Sequence, residues 1–205
     1  MKRSKSSRQW LDRHFNDPYV KLAKQKGFRS RAVFKLLEIQ EKDRFIKPGM
    51  RVVDLGAAPG GWSQAAVQIL KEKGQVIALD LLSMDPLPQV AFIQGDFREE
   101  AVLQILMDCL SHEPVDVVLS DMAPNLSGHK NTDQWSMMAL ADMALDFAVK
   151  VLSPDGAFLI KLFNGAGFEE YLKLMRQTFQ SVVIRKPDSS RSESAEVYLL
   201  GKKLR

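Results

Sequence analysis

Cysteine is almost missing from this 205-residue chain: Cys109 is the single one. That excludes an internal disulfide and any metal site built from several thiolates. Long apolar runs are missing too. The longest stretch free of formal charge, Leu55–Leu70, holds Pro59, Gly60, Gly61, Ser63 and two glutamines, and is too short and too polar to cross a bilayer. The basic N-terminus has no apolar segment behind it, so no secretory signal is expected. His14, His112 and His129 do not stand at metal-ligand spacing, and no metal is assigned. A reducing cytoplasm is the expected location.

What is present is an ordinary globular mixture, 45% hydrophobic and 26% charged, in a length suited to one domain. Its charge is unevenly placed. Residues 1–35 carry eleven Lys or Arg against Asp12 and Asp17, residues 36–160 carry nine basic and eighteen acidic side chains, and residues 161–205 carry nine and five. An acidic middle between basic ends suggests a polyanionic partner for the ends. Lys2–Arg8 reads equally well as a solvated tail. Lys21, Lys24, Lys26, Arg29, Arg31 and Lys35 stand among Tyr19, Phe28 and Phe34 and suit a binding face better.

From Lys47 onward, short apolar runs alternate with helical patterns. Arg51–Leu55, Gln75–Leu79, Val90–Gln94, Val115–Ser120 and Ala157–Phe163 are near-continuous apolar runs, as parallel strands covered on both faces require. Gly61–Glu72, Arg98–Ser111, Thr132–Leu152 and Phe168–Thr178 have helical length and spacing. Repeated βα units predict a doubly wound α/β sheet. Ser181–Arg185 and Ala195–Leu200 leave no room for a crossover helix between them and predict an antiparallel hairpin. Ser30–Gln40 predicts a helix capped by Ser30. The Pro48-Gly49 turn divides a basic N-terminal extension, residues 1–47, from the sheet domain, residues 48–205, within one structural domain.

Asp54-Leu55-Gly56-Ala57-Ala58-Pro59-Gly60-Gly61-Trp62-Ser63 follows the first strand and opens a helix. Glycines let backbone pass close to a ligand, and a helix N-terminus offers N–H groups to a carboxylate or phosphate. Asp80, twenty-four residues beyond Gly56, ends the second strand where an acidic side chain can accept hydrogen bonds from ribose hydroxyls. A nicotinamide-dependent oxidoreductase would need glycine at position 58, and Ala58-Pro59 argues against it. An adenosyl ligand with an amino-acid tail fits better. Asp96 suits either the adenine edge or the cap of the next helix, and Trp62 either the cofactor or anchorage of its own helix.

Lys161 is unusual on residue grounds alone. Phe158, Leu159, Ile160, Leu162 and Phe163 surround it in a strand expected to be central, where a lysine needs a partner or a task. Asp121 reads equally as a strand-end turn former, Glu196 as a solvent-facing strand residue and Lys35 as one charge on a helix face. Cys109 suits the core better than a nucleophilic role.

Together, Asp54–Ser63, Ser120-Asp121-Met122-Ala123-Pro124-Asn125, Lys161-Leu162-Phe163 and Arg185-Lys186-Pro187-Asp188-Ser189-Ser190-Arg191 resemble FtsJ/RrmJ-type ribose 2′-O-methyltransferases. The likeness spans nearly the whole chain, including Arg29-Ser30-Arg31-Ala32 and Phe34-Lys35-Leu36. Asn164 departs from the glutamine of that pattern. The resemblance implies a seven-stranded S-adenosylmethionine-dependent methyltransferase fold and methylation of a uridine 2′-hydroxyl in 23S ribosomal RNA, within the large subunit. It also implies a catalytic tetrad of Lys35, Asp121, Lys161 and Glu196, with Lys161 the principal base or hydroxyl-orienting group. Cofactor contacts are expected from Gly56, Gly60, Trp62, Asp80, Asp96 and Asp121, and RNA contacts from Arg29, Arg31 and Lys35. A non-catalytic RNA-binding ribosome assembly factor on the same fold is the alternative.

Overall fold

The computed structural model describes residues 17–71, 73–124, 128–191 and 193–205. Lys2–Arg8, His14 and Asn125 lie outside the described residues. Two helices come first, α1 (Pro18–Gln25) and α2 (Val33–Asp43). Then follow β1 (Arg51–Leu55), α3 (Gly61–Leu70), β2 (Gln75–Asp80), β3 (Val90–Gln94), α4 (Glu100–Cys109) and β4 (Val115–Ser120). The chain continues through α5 (Lys130–Val151), β5 (Leu152–Phe163), α6 (Phe168–Thr178), β6 (Phe179–Arg185) and β7 (Glu196–Leu204).

The seven strands form one sheet in the order β3-β2-β1-β4-β5-β7-β6. The pairs among β1 to β5 are parallel, and β7 runs antiparallel between β5 and β6. Successive side chains of a strand face opposite ways, and both faces of the sheet are covered. Val52, Val117, Leu119, Leu159, Tyr198 and Leu200 pack with α1, α2 and α3. Val53, Leu55, Val118, Phe158, Ile160 and Leu199 pack with α4, α5 and α6. The apolar runs of β1, β2, β4 and β5 have the two-sided burial that they imply, whereas edge strand β3 buries only Ile93.

Several boundaries differ from the sequence reading for local reasons. Asp17 caps α1 by accepting the Tyr19 N–H at 3.0 Å, and Pro18 occupies the first turn. Ser30 does not cap α2: the chain first makes a tight turn through Arg31 and Ala32, with the Phe34 N–H bonding the Arg31 carbonyl at 3.2 Å. The Ser30 side chain packs instead against Gly61, where an added Cβ would stand 2.5 Å from Ser30 Oγ. β7 runs on through Gly201-Lys202-Lys203 because it stays paired on both sides, Lys202 with Ala157 of β5 and Ser181 of β6. The Phe179 ring covers Gly201 so closely that a Cβ there would meet it at 2.5 Å.

The basic extension is fastened to the sheet domain by polar contacts across the sequence. Arg185 grips Asp43 with two bonds of 2.7 and 2.8 Å. Glu38 accepts the backbone N–H groups of Asp188 at 2.6 Å and Ser189 at 3.1 Å. Arg31 reaches both Asp17 and the Ser189 carbonyl.

Candidate active site

The strand order reverses between β1 and β4, which splays the loops that follow them and opens a crevice at the carboxyl ends of the strands. A cleft of about 540 Å³ occupies that place. Gly56 and Ala58 border it from the first turn, Asp80, Leu81 and Leu82 from the end of β2, and Asp96 and Phe97 from the end of β3. Asp121, Met122 and Pro124 border it after β4, and Leu140 and Met143 close it from α5.

Gly56 has φ +79°, and an added Cβ would stand 2.8 Å from the Met122 backbone, so glycine is required there. Asp80 Oδ2 accepts the Ala58 N–H at 2.8 Å, and its Oδ1 accepts the Leu82 N–H at 2.8 Å. The carboxylate thus orders both walls of the cleft while its remaining lone pairs stay suited to hydroxyl donors. Asp96 accepts the Arg98 N–H at 3.0 Å and pairs with the Arg98 guanidinium at 2.6 Å, which holds its pKa down to about 2. It closes the turn before α4, whose cap is Glu99, and so keeps a charged oxygen pair at the cleft.

Two residues expected at the cofactor have side-chain or close packing contacts inside the chain. Trp62 is buried, donates its indole N–H to the Ala32 carbonyl at 2.9 Å and packs 5.8 Å from the Tyr198 ring. It anchors α3 to the extension and does not border the cleft. Gly60 also lies off the cleft, under the Met84 and Leu87 side chains and the Arg29 guanidinium. Its φ of +106° and that crowding require a glycine there.

At the rim of the cleft four charged side chains pair. Lys161 Nζ lies 3.0 Å from Asp121 Oδ1 and donates to the Asp121 backbone carbonyl at 2.7 Å. Lys35 Nζ lies 2.6 Å from Glu196 Oε1. Both lysines and Glu196 are largely shielded from solvent, and Asp121 borders the cleft as well as the tetrad. Backbone architecture brings them together. Lys161 faces Tyr198 across the β5–β7 ladder, with Phe163 opposite Glu196, and Asp121 leaves the neighbouring strand.

Tyr198 is the contributor that the sequence reading missed. Its hydroxyl donates to Glu196 Oε1 at 2.9 Å, and Lys35 Nζ sits 5.9 Å from its ring centroid. Burial, then the charges of Asp121 and Glu196, push the phenol well above its ordinary pKa, so it remains a donor. Its period-2 spacing from Glu196 was the available signal. Ser190 adds a bond to Glu196 at 3.2 Å. Burial raises the Glu196 pKa, but the charge and hydrogen bond of Lys35, the Tyr198 hydroxyl and the charge of Lys161 outweigh it and hold the carboxyl below its ordinary value.

The expected RNA contacts are each engaged inside the chain. Lys35 pairs with Glu196, Arg31 with Asp17 and the Ser189 carbonyl, and Arg29 with carbonyl oxygens of Pro59, Asp85 and Pro86. Exposed Lys21, Lys24 and Lys26 stand in and just after α1.

Residues 28–204 match the family model of the FtsJ-like methyltransferases. The chain belongs to the FtsJ-like methyltransferase family. The chain is 56% identical to a protein of Pseudomonas fluorescens named ribosomal RNA large subunit methyltransferase E, over 100% of this chain and 98% of that one. The protein of that name from Pseudomonas aeruginosa is 55% identical over 100% and 99%. Among solved structures, a Plasmodium falciparum protein described as a ribosomal RNA methyltransferase superposes with a TM-score of 0.78 at 30% identity, covering 86% of this chain and 98% of its own. The MycE methyltransferase of mycinamycin biosynthesis, at 15% identity and a TM-score of 0.58 over 84% of this chain and 50% of that one, shares the fold.

S-adenosylmethionine is the cofactor of this methyltransferase family member. The cleft fits it. Leu81, Leu82, Phe97 and Met122 offer apolar surface for a purine, Asp80 and Asp96 offer acceptors for hydroxyl and amino groups, and three carboxylates suit a cationic ligand.

Proposed function

We propose that this chain methylates the ribose 2′-hydroxyl of a uridine in 23S ribosomal RNA, in the context of the large ribosomal subunit. Methylation of large-subunit ribosomal RNA is what the relatives' names describe. The observation that carries the finer reading is that Asp121 belongs at once to the cofactor cleft and to the Lys35–Glu196, Lys161–Asp121 tetrad.

When bound, S-adenosylmethionine supplies an electrophilic methyl group on a sulfonium. The protein must bring an alcohol oxygen into line with that carbon and accept the alcohol's proton. Asp121 accepts a hydrogen bond from Lys161 Nζ through its backbone carbonyl, and its carboxylate forms an ion pair with the same nitrogen at 3.0 Å. Held in this way, Lys161 Nζ is fixed beside the cleft that Asp121 borders, where it would meet a 2′-hydroxyl. Lys161 Nζ would take up the proton that the 2′-hydroxyl gives away, the bound cofactor supplying the methyl group. Lys35 and Glu196 position the ribose, with Tyr198 and Ser190 steadying Glu196.

The extension of residues 1–47 carries the RNA in this reading. Arg29, Arg31 and Lys35 fix its posture, while exposed Lys21, Lys24 and Lys26 offer charge to phosphates. The experiment is to map ribose methylation across large-subunit RNA from cells with and without the protein. One uridine should lose its 2′-O-methyl group in the deletion strain and regain it on complementation. An unchanged ribose map would refute the reading and favour a non-catalytic assembly role.

A further inference from the structure

Leu81–Gln89 connects β2 to β3; its first two residues border the cofactor cleft, and Met84 and Leu87 pack over Gly60. Leu81 and Leu82 are 52% and 66% exposed. Asp80 ties down its start through the Leu82 N–H. Its far part is held from outside the sheet, by a side chain of the basic extension. Arg29 Nη1 donates to the Asp85 carbonyl at 2.6 Å and to the Pro59 carbonyl at 3.2 Å, and Nη2 donates to the Pro86 carbonyl at 2.8 Å.

The same arginine is anchored from behind. Its backbone N–H bonds Gln64 Oε1 at 3.1 Å, and Gln64 Nε2 bonds the Gly27 carbonyl at 2.9 Å. Gly60 and Gly61 leave room for this segment: Cβ atoms there would stand 3.1 Å from Arg29 Nη1 and 2.5 Å from Ser30 Oγ. The glycine-rich turn is thus sandwiched, with the cleft at Gly56 and Ala58 and the basic extension at Gly60 and Gly61.

We propose that Arg29 is a positioning residue for the cofactor cleft. Its planar fork holds the β2–β3 loop and the glycine-rich turn at a set separation, so the RNA-side extension governs cofactor affinity. A guanidinium can span three carbonyls lying in different directions. An ammonium is a single point and cannot. This rests on the cofactor occupying the cleft beside Asp80 and Asp121.

The test is calorimetric titration of S-adenosylhomocysteine, without RNA, into the wild-type protein and the Arg29→Lys, Arg29→Ala and Asp80→Ala variants. Both Arg29 substitutions should raise Kd about tenfold, roughly the loss of one charge-assisted hydrogen bond. Arg29→Lys should keep the salt dependence of RNA binding. It should also raise KM for S-adenosylmethionine while leaving kcat at saturation within about twofold, and speed hydrogen exchange at residues 81–89. An affinity loss in Asp80→Ala with wild-type affinity in Arg29→Lys would overturn the positioning role. Wild-type affinity in Asp80→Ala as well would overturn the placement of the cofactor. If Arg29→Ala does not fold, Arg29→Lys alone decides, and unchanged exchange at residues 81–89 counts against the proposal.

Discussion

Lys35 and Glu196 stand 161 residues apart in the chain, and their side chains meet at 2.6 Å. One comes from the helical extension and the other from the last strand, so the pair ties the extension to the sheet. Glu196 is held below its ordinary pKa chiefly against the cost of burial, by Lys35 first. A carboxyl held low contributes stability that is present above its ordinary value of 4.5 and is lost as pH falls through the folded one. Glu196→Gln should therefore flatten the acid limb of stability below about pH 4.5, read by urea unfolding across pH. Lys35→Ala should cost about 1–3 kcal/mol at neutral pH by leaving a shielded carboxylate unpaired. An acid limb identical in Glu196→Gln and wild type would count against the pairing.

Asp54 behaves in the opposite sense. It is fully buried beneath the cleft, with its Oδ2 accepting the Ser63 hydroxyl at 2.6 Å and its Oδ1 lacking a partner among the described residues. Burial, opposed by the Ser63 hydrogen bond and reinforced by the charges of Asp121 and Asp80, pushes its pKa from 3.8 up to about 7. A carboxyl held high contributes stability below its unfolded value that is lost as pH rises through the folded one. Between about pH 4 and 7 the wild-type protein should lose on the order of 2–4 kcal/mol from this group. Asp54→Asn should remove that decline in the same unfolding series. Equal slopes in the two proteins would mean that Asp54 stays ionised.

Asp80→Ala leaves the N–H groups of Ala58 and Leu82 without their acceptor as well as removing a carboxylate from the cleft. S-adenosylmethionine binding should weaken by about 1–3 kcal/mol. Calorimetry on the folded variant checks this, and an unchanged Kd would refute it.

Replacing Lys21, Lys24 and Lys26 by alanine should reduce the slope of log affinity against log salt. The reduction should be about 0.7 for each phosphate of a single-stranded RNA that these lysines neutralise. S-adenosylhomocysteine affinity should not change. A slope equal to that of wild type would assign these lysines to solubility.

The sheet is legible in sequence because two-sided burial writes itself as unbroken apolar runs. β1, β3 and β4 have the same limits in sequence and structure. Strand ends are less legible: β5 already begins at Leu152, with Val115 paired to Leu152 before a register shift, and polar Ser153-Pro154-Asp155 hides it. In the site, Lys161 and Asp121 are marked by burial and by position at a strand end. Lys35 and Glu196 are not, because nothing local in either segment says what lies across the fold. Arg29 and Arg31 show the same limit. Sequence displays their charge, whereas their carbonyl and carboxylate partners come from segments up to 158 residues away. The indole of Trp62 is a further case, since the Ala32 carbonyl that binds it belongs to the turn before another helix.

Lys161→Ala should preserve the fold and S-adenosylmethionine binding while lowering single-turnover methyl transfer by orders of magnitude. Lys161→Arg should rescue little, because a guanidinium keeps the charge but is too weak an acid to serve as a base. Near-normal rates in the arginine variant would make Lys161 an orienting group.

The most direct measurement uses two large-subunit RNA substrates that differ by one atom, a uridine or a 2′-deoxyuridine at the mapped position. Each is incubated with the wild-type protein and methyl-labelled S-adenosylmethionine in a single turnover. Label should enter the ribose of the uridine substrate and be absent from the deoxy substrate, with both RNAs bound equally. Methyl incorporation into the deoxy RNA would contradict 2′-hydroxyl methylation and move the reaction to a base.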